Sequence, residues 1–467
     1  MRNAIVLSAG KGTRMHSELP KGAFIVIDKP MVAHAVDMLK KSSIDNIVVV
    51  VGHLKEVIYD LLKDEGVEFA TQEIQNGTAS AAMTAKELLE DKEGDTLIIP
   101  ADMPLISSEL VEELYKVHTE RKNDLTVLSA FLDNPFAYGR IVRDKNGKFL
   151  KITEEVDANE EEKKIKEINS GLILCNNSLL FKELSKIKNN NKKGEYYLTD
   201  IVEIMIKDSY KVDAYPTKDS VDIIGVNDRY SLSVAEKTLS DRIKKNLMLN
   251  GTTIRFPETV MIGEDVAIGS DVTIEPNTII YGFTKIGDNS VIGPNTEIDS
   301  SIIGSNTRVR MSLISNSSVG SNTTVGPFAH LRDGANVGDY NRVGNFVEFK
   351  NSNTGTNTKA SHLAYIGDAE IGSNVNFGCG AITVNYDGKN KWKTVVKDNA
   401  FIGSNSNLIA PIEIEENAYI ACGSTVNQNV PEGALVIARA RQVTKEGYAE
   451  KIRKRALEKS MELKKDK

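Results

Sequence analysis

Cysteine, histidine and tryptophan are scarce in this sequence of 467 residues. It has three cysteines (Cys175, Cys379 and Cys422), six histidines and one tryptophan. An odd, sparse set of cysteines without metal-ligand spacing argues against a disulfide framework and against a cysteine-based metal site. The cysteine usage therefore indicates a reducing compartment, and we expect a cytoplasmic protein.

Long apolar runs and an excess of positive charge are also missing. The apolar run in "MRNAIVLSAGKG" is too short for a signal peptide, and no stretch of roughly 18 apolar residues occurs. A formal net charge of −7 argues against general binding to nucleic acids or anionic membranes. We therefore expect two or three domains that act on small molecules, without membrane insertion or a nucleic-acid partner.

Short β-branched runs alternate with helical stretches over about the first half of the chain. "NAIVLSAG", "NIVVVVG", "TLIIPAD" and "LTVLSA" have strand character, whereas "MVAHAVDMLKKS", "HLKEVIYDLLKDEG" and "SELVEELYKVHTERK" have helical character. This alternation predicts an α/β domain with a mostly parallel, Rossmann-like sheet over residues 1–227. Leu232, Leu239 and Ile243 then recur at helical spacing before Gly251, which predicts a connecting helix over residues 228–251.

A period of six residues begins near residue 252. Its members up to the first interruption are Ile262, Ile268, Ile274, Ile280, Ile286, Ile292 and Ile298. A break near 299–312 resets the phase, and a second series runs from Leu313 to Phe349. Hexapeptide periodicity predicts a parallel β-helix over residues 252–467, because three units close a coil that buries its aliphatic column only by stacking. We expect a polar loop at Asn385–Thr394, the last repeat near Val430, and a basic helical tail.

Two cations interrupt the glycine column of the second series. Glycine follows the apolar residue at 320, 326, 338 and 344, but Arg332 and Lys350 take its place in the two other units. They are one full coil apart, so they should stack about 5 Å apart along the axis and repel unless an anion lies nearby. This predicts a phosphate or carboxylate site, although two solvated corner cations would have the same spacing. His362 follows within one coil and is a candidate general base.

The segment "LSAGKGTRM" is a strand that enters a glycine-rich turn. It matches neither G-x-G-x-x-G nor the Walker A spacing, so by itself it predicts only backbone amides that cradle a phosphate. Lys11, Arg14 and Lys21 add three positive charges, which suit a triphosphate. A glycine turn with solvated cations is the alternative.

Asp102 ends the buried strand in "TLIIPADMPLIS". A carboxylate at the carboxyl edge of a parallel sheet is well placed to hold a ligand-bound metal. Mg²⁺ uses few protein oxygens and keeps phosphate oxygens and waters, and Asn227 could supply a second oxygen. A turn-forming or helix-capping role for Asp102 is equally compatible with the sequence.

Together these motifs resemble the bacterial family of bifunctional enzymes that are both glucosamine-1-phosphate acetyltransferase and N-acetylglucosamine-1-phosphate uridyltransferase. "L-x-A-G-K-G-T-R-M…L-P-K" is similar to the nucleotidyltransferase signature, and "GPFAHLRDG", "VGNFVEFK", "HLAYIGDAEIG" and "NYDGKNKWKT" are similar to the acetyltransferase signatures. The resemblance spans nearly the whole chain in the same domain order. It implies a left-handed β-helix, Mg²⁺, UTP and acetyl-CoA as co-substrates, a homotrimer, and a role in cell-envelope synthesis.

The resemblance also implies roles for individual residues. The nucleotide and N-acetylglucosamine would contact Leu7, Ala9, Gly10, Lys11, Arg14, Lys21, Gln72, Gly77, Thr78, Gly139, Glu154, Asn169 and Asn227. The metal would be held by Asp102 and Asn227, and His362 would be the catalytic base of acetyl transfer. Glucosamine 1-phosphate would bind Arg332, Lys350, Tyr365 and Asn376, with Asn385 beside it. The acetyl-CoA path would comprise Cys379, Asn385, Tyr386, Ser404, Cys422, Arg439 and Lys445.

The sequence departs from the family pattern at a few positions. "PKGAF" and "PAD" replace P-K-V-L-H and Tyr-Gly-Asp, Val156 replaces a lysine, and Ser80 replaces a histidine. Cys379 and Cys422 stand at positions where alanines are familiar, which leads to the hypothesis of an alkylation-sensitive acetyltransferase; the alternative is that both are small apolar fillers. A sugar-1-phosphate nucleotidyltransferase of other specificity, with the β-helix as a regulatory or assembly module, is the alternative for the whole chain, and a non-catalytic sugar-nucleotide scaffold is a third.

Overall fold

The computed structural model describes residues 1–465. Contacts within the chain divide it into two compact units, of which the first comprises Met1–Asn246 and the second begins at Leu247. The domain bounds expected from the sequence, 1–227, 228–251 and 252–467, remain predictions.

A nine-stranded sheet forms the centre of the first unit. Its strands are Arg2–Leu7, Asn46–Val51, Glu68–Thr71, Asp95–Pro100, Leu125–Phe131, Arg140–Arg143, Phe149–Thr153, Glu167–Asn176 and Val212–Pro216. Across the sheet, Arg2–Leu7 pairs in parallel with Asn46–Val51 and with Asp95–Pro100. Glu167–Asn176 is antiparallel to both of its long neighbours. The predicted mostly parallel α/β sheet is thus confirmed.

Helices cover both faces of this sheet. They are Met31–Lys41, Lys55–Leu62, Thr78–Met83, Lys86–Leu89, Ser108–Arg121, Asn177–Leu184 and Asp200–Lys207. Successive residues of the first strand enter different cores: Ala4 and Val6 pack in one with Val36, whereas Ile5 packs in the other with Leu89. Apolar side chains on both faces of each central strand explain why these runs are continuously hydrophobic.

The second unit is a parallel β-helix of hexapeptide repeats, of the left-handed type. One face consists of Thr253–Ile254, Thr273–Ile274, Val291–Ile292, Arg308–Val309, Thr324–Val325, Arg342–Asn345, Lys359–His362, Asn376–Phe377, Phe401–Ile402, Tyr419–Ile420 and Leu435–Val436. The next consists of Met261–Ile262, Ile279–Tyr281, Glu297–Asp299, Leu313–Ser315, His330–Arg332, Glu348–Lys350, Tyr365–Gly367, Ile382–Val384, Asn407–Ile409 and Thr425–Val426. The last consists of Ala267–Ile268, Lys285–Ile286, Ile302–Ile303, Ser318–Val319, Asn336–Val337, Asn353–Thr354, Ala369–Ile371, Thr394–Val396 and Ile412–Ile414. We call these the first, second and third faces.

The apolar columns predicted from the period line the interior of the coil. On the first face, Ile274, Ile292, Val309 and Val325 are successive register partners and are buried. Asparagine recurs at the corners in the left-handed backbone conformation, for example Asn277 at φ 57°, a conformation that asparagine tolerates better than most residues. The repeat is therefore built from one buried aliphatic residue and one permissive corner residue.

One sequence prediction about the coil is confirmed and another is wrong in detail. The phase is reset near 299–312 as expected, and the stack continues through the reset, because Ile298 still pairs with Ile314, and Ile303 with Val319. The phase shifts because the spacings Ile298–Ile303, Val309–Ile314 and Ile314–Val319 are each one residue short of the repeat. The coil also continues past Val430, since Leu435–Val436 pairs with Tyr419–Ile420.

Three further segments complete the description. Asn385–Thr394 is a polar excursion closed by an antiparallel bridge between Tyr386 and Lys391, as the loss of phase predicted. The connecting helix spans Arg229–Leu249, and the basic tail forms the helix Tyr448–Lys465. Over residues 1–465, no helix is both long and apolar enough to cross a membrane.

Candidate active sites

A cavity of about 500 Å³ opens at the carboxyl edge of the parallel strands in the first unit. Its lining includes eleven of the residues singled out in the sequence: Leu7, Ala9, Gly10, Arg14, Lys21, Gln72, Gly77, Thr78, Asp102, Glu154 and Asn227. The loops after the strands Arg2–Leu7, Glu68–Thr71 and Asp95–Pro100 supply most of them. This is the edge at which open α/β sheets bind ligands.

The glycine loop and Lys21 pack directly on each other. Gly12 adopts φ +60°, and a Cβ there would lie 2.9 Å from the Cβ of Lys21. A Cβ at Gly22 would lie 2.6 Å from the Oγ of Ser8. Glycine at both positions therefore lets the loop close over the stem of Lys21, so that the ammonium points into the cavity.

Asp102, Lys21 and Asn227 form a polar cluster in this cavity. The ammonium of Lys21 makes an ion pair with the Asp102 carboxylate and donates a hydrogen bond of 2.9 Å to the Oδ1 of Asn227. Arg14 donates a second hydrogen bond of 2.9 Å to the same oxygen. Within residues 1–465 no three His, Cys, Asp or Glu side chains converge as a metal cage, so the carboxylate–amide pair is the relevant donor set.

Gln72 and Gly77 are linked at another wall of the cavity. The buried amide of Gln72 donates to the carbonyl of Gly77 over 3.1 Å. Gly77 adopts φ +132°, and a Cβ there would lie 2.3 Å from the carbonyl oxygen of Tyr196. Thr78 Oγ1 accepts a hydrogen bond from the amide of Leu198 over 3.0 Å. The two loops are thereby clamped together, and the segment after Gly194 enters the site.

Acidic and aromatic side chains form the opposite end of the cavity. Glu154 accepts a hydrogen bond of 3.0 Å from Thr199, and burial raises the pKa of its carboxyl group. Burial, followed by the charge of Glu154, raises the pKa of Asp200 to about 6. The hydroxyl of Tyr197 has no hydrogen-bond partner among the described residues. An unsatisfied hydroxyl beside a carboxylate suits a ligand with hydroxyl groups of its own.

Three predicted residues do not line the cavity. Gly139 and Asn169 lie just behind Glu154: a Cβ on Gly139 would be 3.6 Å from the Cβ of Asn169 and from the Oε1 of Glu154. Lys11 is exposed on the glycine loop. Gln75, Glu195 and Tyr197 line the cavity but escaped the sequence analysis. The turn-forming run "NNNKKGEYY" was the available signal for the last two.

Arg332 and Lys350 are register partners on adjacent coils, as their spacing predicted. The positive charge of Arg332 is nevertheless neutralised by neighbouring carboxylates. Its guanidinium is 2.8 Å from Glu348 and 2.7 Å from Asp333. The anion required beside this cation is therefore supplied by the protein itself.

Lys391 adds a cation that the sequence analysis missed. The neighbouring ammonium of Lys350 lowers the pKa of Lys391, because two positive charges repel. Asp368 lies nearby and accepts a hydrogen bond of 2.7 Å from Asn351 and another from Asn385. Two ammonium groups this close indicate a site for an anion. The polar loop hid Lys391, because it is out of phase with the repeat.

His362 is oriented by a side chain of the preceding coil. Its Nδ1 lies 2.6 Å from the Oδ1 of Asn345, its register partner. An amide oxygen can only accept, so this contact places the proton on Nδ1 and leaves Nε2 as the basic nitrogen. His362 is exposed, so this nitrogen is accessible to a substrate.

A column of side chains continues along the same corner. Backbone hydrogen bonds link Gly380 to Leu363, Asn405 to Cys379, and Gly423 to Ser404. They place Cys379 on the coil after His362, followed by Ser404 and then Cys422. Cys379 and Cys422 are both exposed.

The remaining predicted residues are more dispersed. Tyr365 lies on the second face with Arg332 and Lys350, whereas Asn376 lies on the first face. The amide of Asn385 is 3.4 Å from the hydroxyl of Tyr365. Arg439 approaches Gly423, with its Cδ 3.7 Å from a Cβ built there. Tyr386 lies in the polar loop, and Lys445 lies over the ring of Tyr448 in the tail.

Comparisons with known proteins agree with the architecture of both units. A family model described as Nucleotidyl transferase matches residues 3–237. Models described as Bacterial transferase hexapeptide (six repeats) and Hexapeptide repeat of succinyl-transferase match residues 265–300 and 394–428. Proteins called "Bifunctional protein GlmU" match along their length: the one from Acholeplasma laidlawii is 51% identical over 96% of this chain and 97% of its own. Those from Geobacillus sp. and Clostridioides difficile are each 48% identical, over 97% and 96% of this chain and 98% and 97% of their own.

Proposed function

The chain belongs to the bifunctional GlmU family, and on that basis we propose that it makes UDP-N-acetylglucosamine in two reactions. The coil transfers the acetyl group of acetyl-CoA to glucosamine 1-phosphate. The sheet domain then transfers the uridylyl group of UTP to N-acetylglucosamine 1-phosphate, and pyrophosphate leaves. The product would feed synthesis of peptidoglycan and lipopolysaccharide-type envelope polymers.

The observation that carries this proposal is the presence of two separate sets of reactive groups in one chain. Lys21, Asp102 and Asn227 converge in the cavity of the first unit. His362, oriented by Asn345, lies in the second unit, in the same β-helix in which Arg332 stacks on Lys350. A single-activity enzyme with a merely structural coil requires no oriented base there.

In the site of the first unit, which would catalyse uridylyl transfer, positioning and charge neutralisation supply the catalysis. Gln72, Gly77 and Thr78 would hold the uracil, whose edge an amide can match. Lys21 and Arg14 would neutralise the phosphates, and the attack by the sugar phosphate on the α-phosphate would be in line. Glu154 would accept a hydrogen bond from a hydroxyl group of the sugar, with Gly139 and Asn169 behind it.

Nucleotidyl transfer of this type typically uses a divalent metal, and we propose Mg²⁺ at Asp102 and Asn227. The fit rests on the donor set: a carboxylate and an amide oxygen already converge on one cationic nitrogen, and such hard oxygens suit Mg²⁺. When bound, the metal would neutralise charge on the phosphates. Asp102 and Asn227 would hold it, while Lys21 and Arg14 would contact the phosphates.

In the second site, Nε2 of His362 would take a proton from the amine of glucosamine 1-phosphate as the nitrogen attacks the acetyl carbonyl. The C–S bond of acetyl-CoA then breaks, and CoA leaves as a thiolate that takes up a proton. Lys350 and Lys391 would bind the phosphate, with Arg332 beside Lys350 on the second face. Tyr365 and Asn385 would position the sugar. The corner column of Cys379, Ser404 and Cys422, together with Tyr386, Arg439 and Lys445, would line the path of acetyl-CoA.

A homotrimer would complete this site, and we propose that assembly, with a cytoplasmic location. Asn376 lies on the first face whereas Arg332, Lys350 and Tyr365 lie on the second. One way for all four to contact one sugar is that a second copy contributes the missing face.

The test is a coupled assay with purified protein, acetyl-CoA, glucosamine 1-phosphate, UTP and Mg²⁺. The proposal expects UDP-N-acetylglucosamine, with free CoA and pyrophosphate released in equal amounts. Nucleotidyl transfer without CoA release, or a preference for another sugar phosphate or for dTTP or ATP, would instead support the alternative with the coil as an assembly module.

A further inference from the structure

Lys21 occupies the position between the two oxygens to which a metal is assigned above. Its ammonium makes an ion pair with Asp102 and donates to Asn227 Oδ1 over 2.9 Å. The side chains of Lys21 and Asp102 are only 18% and 22% exposed. This pair therefore lies inside the cavity and is not a contact of the open surface.

The backbone keeps the two oxygens together. The amide of Val226 donates to the carbonyl of Asp102 over 2.8 Å, and the amide of Asn227 donates to Ser231 Oγ over 2.9 Å. Hydrogen bonds of the main chain thus fix the positions of both Asp102 and Asn227. The end of Lys21, by contrast, is a flexible side chain on a stem that the glycine loop holds.

An ammonium and a divalent cation cannot share this pair of oxygens. Positive charges so close repel strongly in a partly buried site, and the oxygens that Lys21 occupies are the hard donors that a divalent cation needs. We propose that Lys21 is an internal stand-in cation, which must leave Asp102 and Asn227 before a divalent metal binds there. The inference rests on the metal site of the proposed function and assigns Lys21 a second role in it.

This competition couples metal binding to nucleotide binding. Once displaced, the Lys21 ammonium needs a new anionic partner, which the phosphates of a nucleotide would supply. Arg14 donates to the same oxygen of Asn227, so the displaced Lys21 ammonium and the Arg14 guanidinium would contact the phosphates together. Because binding energies are linked reciprocally, the metal would bind weakly alone and more tightly with nucleotide present.

The first experiment measures the affinity of the nucleotide-free protein for Mn²⁺ by electron paramagnetic resonance. Lys21→Met removes the competing charge, and we expect it to tighten Mn²⁺ binding by about tenfold. Lys86→Met is the matched control, because Lys86 pairs with Glu90 on a helix outside the cavity; its affinity should equal that of the wild type. Adding Asp102→Asn to Lys21→Met should abolish the gain. Equal affinity in Lys21→Met and wild type would overturn the inference.

A second experiment uses the unaltered protein, so the inference stays testable if Lys21→Met does not fold. Brief acetylation with an N-hydroxysuccinimide ester, read by mass spectrometry, reports how free each lysine is. Saturating Mn²⁺ without nucleotide should raise labelling of Lys21 several-fold and leave Lys86 unchanged; constant labelling of Lys21 would contradict the inference. Neither experiment involves turnover, so failure of the coupled assay and failure of this inference are separate results.

Discussion

The Nδ1 of His362 lies 2.6 Å from the Oδ1 of Asn345, which is its register partner on the preceding coil. This contact follows directly from the stacking of coils, since residues 17 apart meet on one edge. It holds the imidazole in one tautomer and presents Nε2 outward. The orientation of the proposed base therefore depends on a residue that need not touch the substrate.

Replacing Asn345 by Ala should lower kcat of acetyl transfer by about 10- to 100-fold, since loss of such orienting partners has effects of this size. The KM for glucosamine 1-phosphate should change little. Asn345→Asp should restore most of the rate, because a carboxylate oxygen also accepts a hydrogen bond from Nδ1 of His362. Equal loss in both variants would indicate a purely structural role for Asn345.

Binding of glucosamine 1-phosphate should weaken as the pH rises. Lys350 lowers the pKa of Lys391, so Lys391 loses its charge at a lower pH than an ordinary lysine. The KM should thus increase through that pKa, and Lys350→Met should move the increase to higher pH while weakening binding overall. Lys393→Met is the control, because Lys393 pairs with Glu370 over 2.8 Å. A KM profile that is the same in Lys350→Met and wild type would contradict this assignment.

Asp200→Asn should stabilise the first unit at neutral pH. Burial raises the pKa of Asp200 to about 6, so between its unfolded pKa and about 6 the folded state binds more protons, and stability falls as the pH rises through that window. The variant has no such carboxylate to ionise. Thermal unfolding should show a midpoint raised by about 2 °C at pH 7 and no difference near pH 4. A lower midpoint at pH 7 would refute this.

Two of the three thiols should react rapidly with an alkylating reagent. Cys379 and Cys422 are exposed, whereas Cys175 is buried and burial raises its thiol pKa. Because Cys379 follows His362 on the corner column, its alkylation should block acetyl transfer and leave uridylyl transfer intact. Cys379→Ala with Cys422→Ala should be insensitive. Complete labelling without loss of acetyl transfer would dispose of the hypothesis.

The sequence period predicted the coil and the pairing of Arg332 with Lys350 because register in a β-helix depends only on local spacing. It did not predict that Glu348 and Asp333 neutralise Arg332, since side-chain pairing depends on rotamers. Lys391 was missed because the polar loop leaves the repeat. Tyr197 and Glu195 were missed because the clamp between Gly77 and Tyr196 joins segments far apart in the chain.

The cavity residues were predicted more completely than their contacts. Strand ends and glycines marked the loops, and the resemblance supplied Gln72 and Glu154. Nothing local indicated that Lys21 would reach Asp102 and Asn227, because that cluster combines three distant segments. The three short spacings between Ile298 and Val319 similarly looked like a break, because a shift of phase in the sequence does not show whether the stack continues.

The most direct test of the whole account is separation of the two activities by His362→Ala and Asp102→Ala in the full-length chain. The account predicts that His362→Ala loses acetyl transfer by at least about 100-fold while uridylyl transfer to supplied N-acetylglucosamine 1-phosphate stays at the wild-type rate. Asp102→Ala should show the reverse. Undiminished CoA release by His362→Ala, or loss of both activities in either folded variant, would contradict two independent active sites.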